Sequence, residues 1–255
     1  MTDSRSGGAP VSEQPSRTFS HDGSTLVASE RGEGETVFVL VHGLGMGRLV
    51  FDDLAQILAE RGRVIAVDLP GYGEAPEPPR TPTIERMADL VAAYLRGEGL
   101  GDVVLVGHSM GSQVATEVAV RHGLASRLVL IAPSVDASAR RTGEQARRLA
   151  RDLLDESPTV LLLGARAYLH AGPHLRRKIR AMMVHRPENA YPRVTCPALV
   201  LRGAEDLVSP RAWCHRVVDL LPTAEYAEIP GHGHETVIKN ARPAADRILD
   251  WLDRP

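Results

Sequence analysis

Thr36-Val37-Phe38-Val39-Leu40-Val41 is apolar and β-branched without a break, the pattern of a strand covered on both faces. Arg63-Val64-Ile65-Ala66-Val67-Asp68, Val103-Val104-Leu105-Val106, Leu128-Val129-Leu130-Ile131 and Pro197-Ala198-Leu199-Val200-Leu201 repeat it, and residues 225–229 read as one more strand. Between these runs the apolar spacing changes to that of helices. Residues 49–60 carry Leu54, Ile57 and Leu58 on one stripe and stop at Gly62. After Thr83, a plausible N-cap, the residues Ile84, Met87, Leu90, Val91, Tyr94 and Leu95 supply a core face. Helices are also expected over 110–121, over 210–221, and at the end of the chain near Trp251. Strand and helix alternating in this way predict a mostly parallel sheet with helices on both faces, an α/β fold.

Three stretches depart from the alternation. Residues 17–20 and 26–29 flank His21-Asp22-Gly23-Ser24, whose Asp-Gly pair favours a tight turn between antiparallel strands. From 135 to 193 charged helical segments replace the strands, which reads as an inserted helical cap. Residues 1–16 are rich in Ser, Gly and Pro and lack the apolar core of a signal peptide, so a flexible tail is expected there. The expected organisation is a tail over 1–16, a core from 17–134 and 194–255, and a cap over 135–193. No internal repeat is evident.

Composition narrows the partners. Thirty Lys and Arg stand against 32 Asp and Glu, a formal net charge of −2, which argues against nucleic acid or an anionic membrane as the main partner. No run approaches the roughly 18 apolar residues of a membrane span. Cys196 and Cys214 are too few for a disulfide framework and fit a reducing compartment. A cytoplasmic protein acting on a small molecule is expected, and the abundance of Ala, Arg and Gly hints at a GC-rich bacterial genome.

The chemistry centres on Gly107-His108-Ser109-Met110-Gly111, between an apolar strand and a helical pattern. A serine hydroxyl is a weak nucleophile at its ordinary pKa and must be lifted clear of the sheet against a base. A G-x-S-x-G turn between strand and helix does this, because nearly side-chain-free flanks let the two elements approach closely. A second glycine-rich turn, His42-Gly43-Leu44-Gly45-Met46-Gly47, follows the first parallel strand and can expose N–H groups to an anion. Ligands and catalytic groups gather at the carboxyl ends of parallel strands. Besides Ser109 and Leu44, Asp206 and the pair His232 and His234 meet that condition.

Five pieces in this order resemble the α/β-hydrolase superfamily over nearly the whole of residues 17–252. They are Val41-His42-Gly43, Asp68-Leu69-Pro70-Gly71-Tyr72-Gly73, the Ser109 turn, Leu201-Arg202-Gly203-Ala204-Glu205-Asp206, and Pro230-Gly231-His232-Gly233-His234. The resemblance implies Ser109 as nucleophile and His234, rather than His232, as base. It implies Asp206 as the acid, ahead of Glu205 and of Asp136, which follows the strand after the Ser109 turn. Backbone N–H groups of Leu44 and Met110 would form the oxyanion hole. The implied reaction is cleavage of a small or medium carboxylic ester through an acyl-enzyme, with no metal or organic cofactor. The same triad serves thioesterases, carbon-carbon bond hydrolases, lactonases and acyltransferases, and a ligand receptor on this scaffold is a further alternative. Serine at the nucleophile position argues against dehalogenase and epoxide hydrolase relatives, which use aspartate there.

Two positions depart from the family's pattern. Glu74-Ala75 stands where a serine is frequent, and Ser112 where a glycine is frequent. For the substrate pocket the candidates are Met46 and Met110, beside the oxyanion positions, together with His108, Tyr168, Leu169, Met182 and Met183. At helical spacing such cap residues are more often plain core. Arg176-Arg177-Lys178 with Arg180 could receive an anionic group, although a charge run is usually a solvated helix face. His42 and His108 are expected to support neighbours by packing or hydrogen bonding rather than to transfer protons.

Overall fold

A computed structural model describes residues 16–137, 174–238 and 240–254. Tyr168, Leu169, nearly all of the expected tail and most of the expected cap lie outside these residues. The described chain forms one eight-stranded sheet in the order β1-β2-β4-β3-β5-β6-β7-β8. The strands are β1 (Ser16–His21), β2 (Ser24–Arg31), β3 (Val37–Val41), β4 (Arg63–Asp68), β5 (Val103–His108), β6 (Ala125–Ile131), β7 (Ala198–Gly203) and β8 (Ala224–Ile229). Strands β3 to β8 pair in parallel, while β1-β2 and β2-β4 pair antiparallel. The β1-β2 turn places Asp22 and Gly23 at φ of 47° and 71°, the left-handed region that an Asp-Gly hairpin turn uses.

Alternate residues of each strand feed two separate cores. Val39, Val41, Ile65, Val67, Leu105, Leu128 and Val200 pack under α2 (Ile84–Gly97), α3 (Met110–His122) and the later helix Arg211–Leu220. Phe38, Leu40, Val64, Ala66, Val104, Val106 and Leu201 pack under α1 (Asp52–Leu58) and the terminal helix Arg242–Leu252. A sheet covered on both faces explains why the strand runs are apolar at every position. In the 174–193 stretch lie α4 (Leu175–Val184), α5 (Pro187–Ala190) and a 3₁₀ turn at Tyr191–Arg193. The Arg211–Leu220 and Arg242–Leu252 helices are α6 and α7.

The elements expected from the pattern differ from the structure mainly at their ends. The helix expected over 49–60 begins as a 3₁₀ turn, Arg48–Phe51, because the Arg48 N–H and guanidinium are both taken by the Asp68 carboxylate. Strand β6 starts three residues before Leu128, at half-buried residues 125–127 that carry no apolar signal. Thr83 does cap α2, accepting the Arg86 N–H at 3.3 Å. Among the described residues no helix is long and apolar enough to cross a membrane, and Cys196 and Cys214 are buried free thiols.

Candidate active site

Ser109 sits between β5 and α3 with φ 53° and ψ −118°, a conformation that costs an ordinary residue free energy and is held by its surroundings. Its N–H donates to the Ile131 carbonyl at 2.9 Å, tying the turn to β6. A Cβ on Gly111 would lie 2.0 Å from the Val41 carbonyl oxygen, and one on Gly107 would lie 2.4 Å from the Gly111 oxygen. Only glycine permits this approach. Ser112 is more than a tolerated departure from glycine: its hydroxyl donates to the Ser109 carbonyl at 2.5 Å and is itself fully buried.

The loops after β7 and β8 bring the other groups to Ser109. His234 Nε2 stands 3.0 Å from Ser109 Oγ, and His234 Nδ1 stands 3.0 Å from Asp206 Oδ2. The other carboxylate oxygen, Oδ1, accepts the N–H groups of Val208 and Ser209, each at 2.8 Å. Asp206 is 1% exposed. Burial opposes its ionisation, but attraction to His234, the hydrogen bonds from His234 and Ser209, and nearby Arg202 outweigh that and hold the carboxyl below its ordinary range. An ionised carboxylate only accepts, so the His234 proton lies on Nδ1 and the Nε2 lone pair faces Ser109. Of the rivals, His232 binds the Pro230 carbonyl through Nδ1, Asp136 is buried, and the carboxylate at 3.0 Å from His234 Nδ1 is that of Asp206.

The glycine-rich loop after β3 is fixed by His42. Its Nε2 accepts the Leu69 N–H at 3.0 Å, so its proton is on Nδ1, which donates to the Gly43 carbonyl at 2.7 Å. Burial lowers the pKa of His42, which keeps this bridge neutral. Leu44 lies on that half-buried loop, and Met110 opens α3, so its N–H is one of the first donors of the helix with no intrahelical acceptor.

Several pocket candidates need correction. His108 is fully buried: its Nε2–H donates to the His234 carbonyl at 2.8 Å and its ring lies 5.1 Å from that of His234. It supports the histidine loop and walls no pocket. The Met110 side chain is likewise buried, accepting the Tyr72 hydroxyl at Sδ, 3.7 Å away. Met46 is half-buried, with Sδ close to Gly43. Met182 and Met183 are half-buried on α4, and Met182 Sδ is 3.9 Å from the Ser134 hydroxyl.

The Arg176 to Arg180 run is not a uniform solvated face. Arg176, Arg177 and Arg180 are exposed, whereas Lys178 is buried, donating to the Gly71 carbonyl and to Glu77 Oε2 (2.6 Å) with its ammonium 4.4 Å from the Tyr72 ring centroid. Glu74, in the place of a serine, makes an ion pair with Arg48 at 2.9 Å while its N–H donates to Asp68.

Two neighbours were missed in the sequence. Ser134 Oγ lies 3.5 Å from Ser109 Oγ, and Gln113 donates to the carbonyls of Ser134 (2.9 Å) and Met182 (3.4 Å). Ser134 follows β6, so the strand-end rule that found Asp206 could have found it; Gln113, one turn along α3 from Ser109, was also within reach. Among the described residues one set of ligand-type atoms, on Glu85, Glu117 and His185, clusters within 4.8 Å, away from this triad of side chains.

This sheet order, with a serine turn after β5 and an acid and histidine after β7 and β8, defines a class. Residues 38–246 match the alpha/beta hydrolase family, and the chain belongs to it. It is 26% identical over 257 residues to a pimeloyl-[acyl-carrier protein] methyl ester esterase of Chromobacterium violaceum, covering 89% of this chain and 98% of that one. It is 27% identical over 254 residues to a 2-hydroxy-6-oxo-6-(2'-aminophenyl)hexa-2,4-dienoic acid hydrolase of Metapseudomonas resinovorans, covering 88% and 86%. A solved thermophilic esterase from Thermogutta terrifontis superposes with a TM-score of 0.76 at 25% identity, over 94% of this chain and 98% of that one. The protein is an esterase-like hydrolase of this family.

Proposed function

We propose that the protein cleaves a small or medium carboxylic ester through an acyl-enzyme on Ser109. The reading rests above all on the hydrogen-bonded row Ser109 Oγ, His234 and Asp206, with 3.0 Å at each step. His234 Nε2 takes the serine proton as Oγ attacks the carbonyl carbon, and Asp206 stabilises the imidazolium that forms. The Leu44 and Met110 N–H groups hold the oxyanion; donors of this kind are worth about 3 to 4 kcal/mol each. The imidazolium then protonates the departing alcohol, and water, activated by the same histidine, releases the acid. These steps need no metal or organic cofactor.

Residues 135–193 serve in this reading as the cap over the site. Their described part contributes α4, whose Met182 stands beside Ser134, itself next to Ser109, and forms one wall of the acyl pocket. The methyl ester esterase among the relatives favours ester cleavage, and the dienoic acid hydrolase keeps carbon-carbon bond hydrolysis as the second reading.

The test is turnover of p-nitrophenyl esters from acetyl to palmitoyl by the protein and by Ser109→Ala. Hydrolysis in the first and a loss of 10⁴-fold or more in the second, roughly the cost of removing such a nucleophile, is expected. A fluorophosphonate should label the protein and not the variant. Labelling without ester turnover would move the assignment to the carbon-carbon bond reading. Equal turnover in both proteins would overturn Ser109 as the nucleophile.

A further inference from the structure

Helix α4 carries two adjoining stripes. Lys178 and Met182 reach the Gly71 loop and Ser134, while Arg177, Arg180, Ala181 and Val184, spaced three and four apart, line a separate cavity. That cavity has a volume of about 840 Å³ and lies between α4, α5, the start of α2 and the segment before it. Arg80, Arg177, Arg180, Arg186 and Arg193 all line it.

The charge around it is unbalanced. Several exposed arginines elsewhere in the chain find carboxylates: Arg61 with Asp253, Arg121 with Asp89, Arg211 with Glu228 and Arg254 with Glu225. Here Arg186 comes only to 3.9 Å from Glu188, and among the described residues no ion pair engages Arg80, Arg177, Arg180 or Arg193. The chain as a whole is slightly acidic, so carboxylates are not scarce. Two carboxylates lie in the lining, Glu85 and Glu117, and Glu117 is already held by His185 at 2.8 Å. Those three side chains have the donor set of a cation site. Five guanidinium groups in the same lining would repel a cation, so the contact is read as a hydrogen bond joining α3 to the end of α4. The lining also contains Thr81, whose Oγ1 is shielded from solvent and has no hydrogen-bond partner.

We propose that this cavity is a second binding site, for a compact anion bearing at least two phosphate or carboxylate groups. Guanidinium forks recognise either group bidentately. The arginines come from three separate segments, before α2, on α4 and around α5, so a single anionic group would leave part of the set unmatched. The site involves none of Ser109, His234 or Asp206, and the proposal stands independently of their roles.

The test is calorimetric titration of the full chain with pyrophosphate and, separately, with citrate, in low-chloride buffer at two ionic strengths. Saturable binding of one anion per chain is expected, weaker at the higher ionic strength; the tighter of the two arms identifies phosphate or carboxylate as the preferred group. Arg177→Gln with Arg180→Gln should weaken binding tenfold or more. Arg80→Gln, on a different segment, should also weaken it, which a mere shift of α4 would not produce. Arg247→Gln, on exposed α7 surface, is the control and should change nothing. No saturable binding of either anion, indifference to the Arg177 and Arg180 changes, or an equal loss in Arg247→Gln would overturn the site.

Discussion

The turn at Ser109 and helix α4 face each other across the same site but are held by different means. The turn is fixed by backbone: Gly107 and Gly111 in contact with neighbouring main chain, the Ser109 N–H on β6, the Ser112 hydroxyl on the Ser109 carbonyl. Helix α4 hangs on side-chain bridges: Lys178 to Gly71 and Glu77, Gln113 to the Met182 carbonyl, and His185 to Glu117. Backbone constraints leave no room for substitution and keep the reacting groups in one geometry. Side-chain bridges can be exchanged singly, so the proposed pocket wall can be altered while Ser109 stays in place.

The sharpest way to break this contrast is at Gly111. An alanine there would put its Cβ 2.0 Å from the Val41 carbonyl oxygen, with backbone on both sides and no flexible side chain to yield. Gly111→Ala is expected to destabilise the fold by about 3 kcal/mol or more. Gly101→Ala, where a Cβ would meet nothing within 4 Å, should stay within about 0.5 kcal/mol. Urea unfolding of the two variants beside the parent checks both. Near-equal stabilities would mean that strand and helix can separate at the turn, and the backbone account of its rigidity would fail.

Lys178 tests the other side. Its ammonium is buried against Gly71, Glu77 and Tyr72, and replacing it removes charge-assisted hydrogen bonds worth about 1.5 to 3 kcal/mol each in favourable settings. Glu77 is partly exposed and can be solvated, so the loss is partly recovered. In Lys178→Met the KM for a p-nitrophenyl ester should rise about tenfold with kcat changed less, roughly 1.4 kcal/mol of lost binding. A fall in kcat at constant KM would show instead that Lys178 acts on the turn, through Tyr72 and the Met110 side chain.

The two regions also differed in how far the sequence exposed them. The sheet and its helices were legible because burial on both faces leaves strands apolar at every position, as in Val37 to Val41. Strand ends and glycines marked the neighbourhoods of Ser109, Asp206 and the His232-His234 pair, while the choice of His234 over His232 and of Asp206 over Glu205 and Asp136 came from the family resemblance. The roles of long polar side chains were not legible. Lys178 sits in a run of exposed arginines, and nothing in its spacing distinguishes the one ammonium that turns inward onto a carbonyl 107 residues away in the β4-α2 loop. His108 was misplaced into the pocket for a related reason. Adjacency to Ser109 in the chain says nothing about direction, and in a strand neighbouring side chains point to opposite faces.

His108 supplies the change with the smallest effect at neutral pH. Burial, then repulsion from His234, push its pKa down to about 3 from an ordinary 6.5, so it is neutral in the folded protein. In the unfolded chain it takes up a proton below about pH 6.5. Between those values the unfolded state binds more protons, so stability rises with pH: the neutral histidine's contribution is complete above about 6.5 and is lost as pH falls toward 3. One proton corresponds to about 1.4 kcal/mol per pH unit across that window. Glutamine can still donate to the His234 carbonyl but does not titrate. His108→Gln should therefore unfold in urea at nearly the parent's midpoint at pH 7.5, and its stability should fall less steeply between pH 6 and pH 4. Parallel pH profiles for the two proteins would mean that His108 is not the group taking up this proton on unfolding. A large loss at pH 7.5 would mean instead that the imidazole ring, and not the hydrogen bond it donates, holds the histidine loop against Ser109.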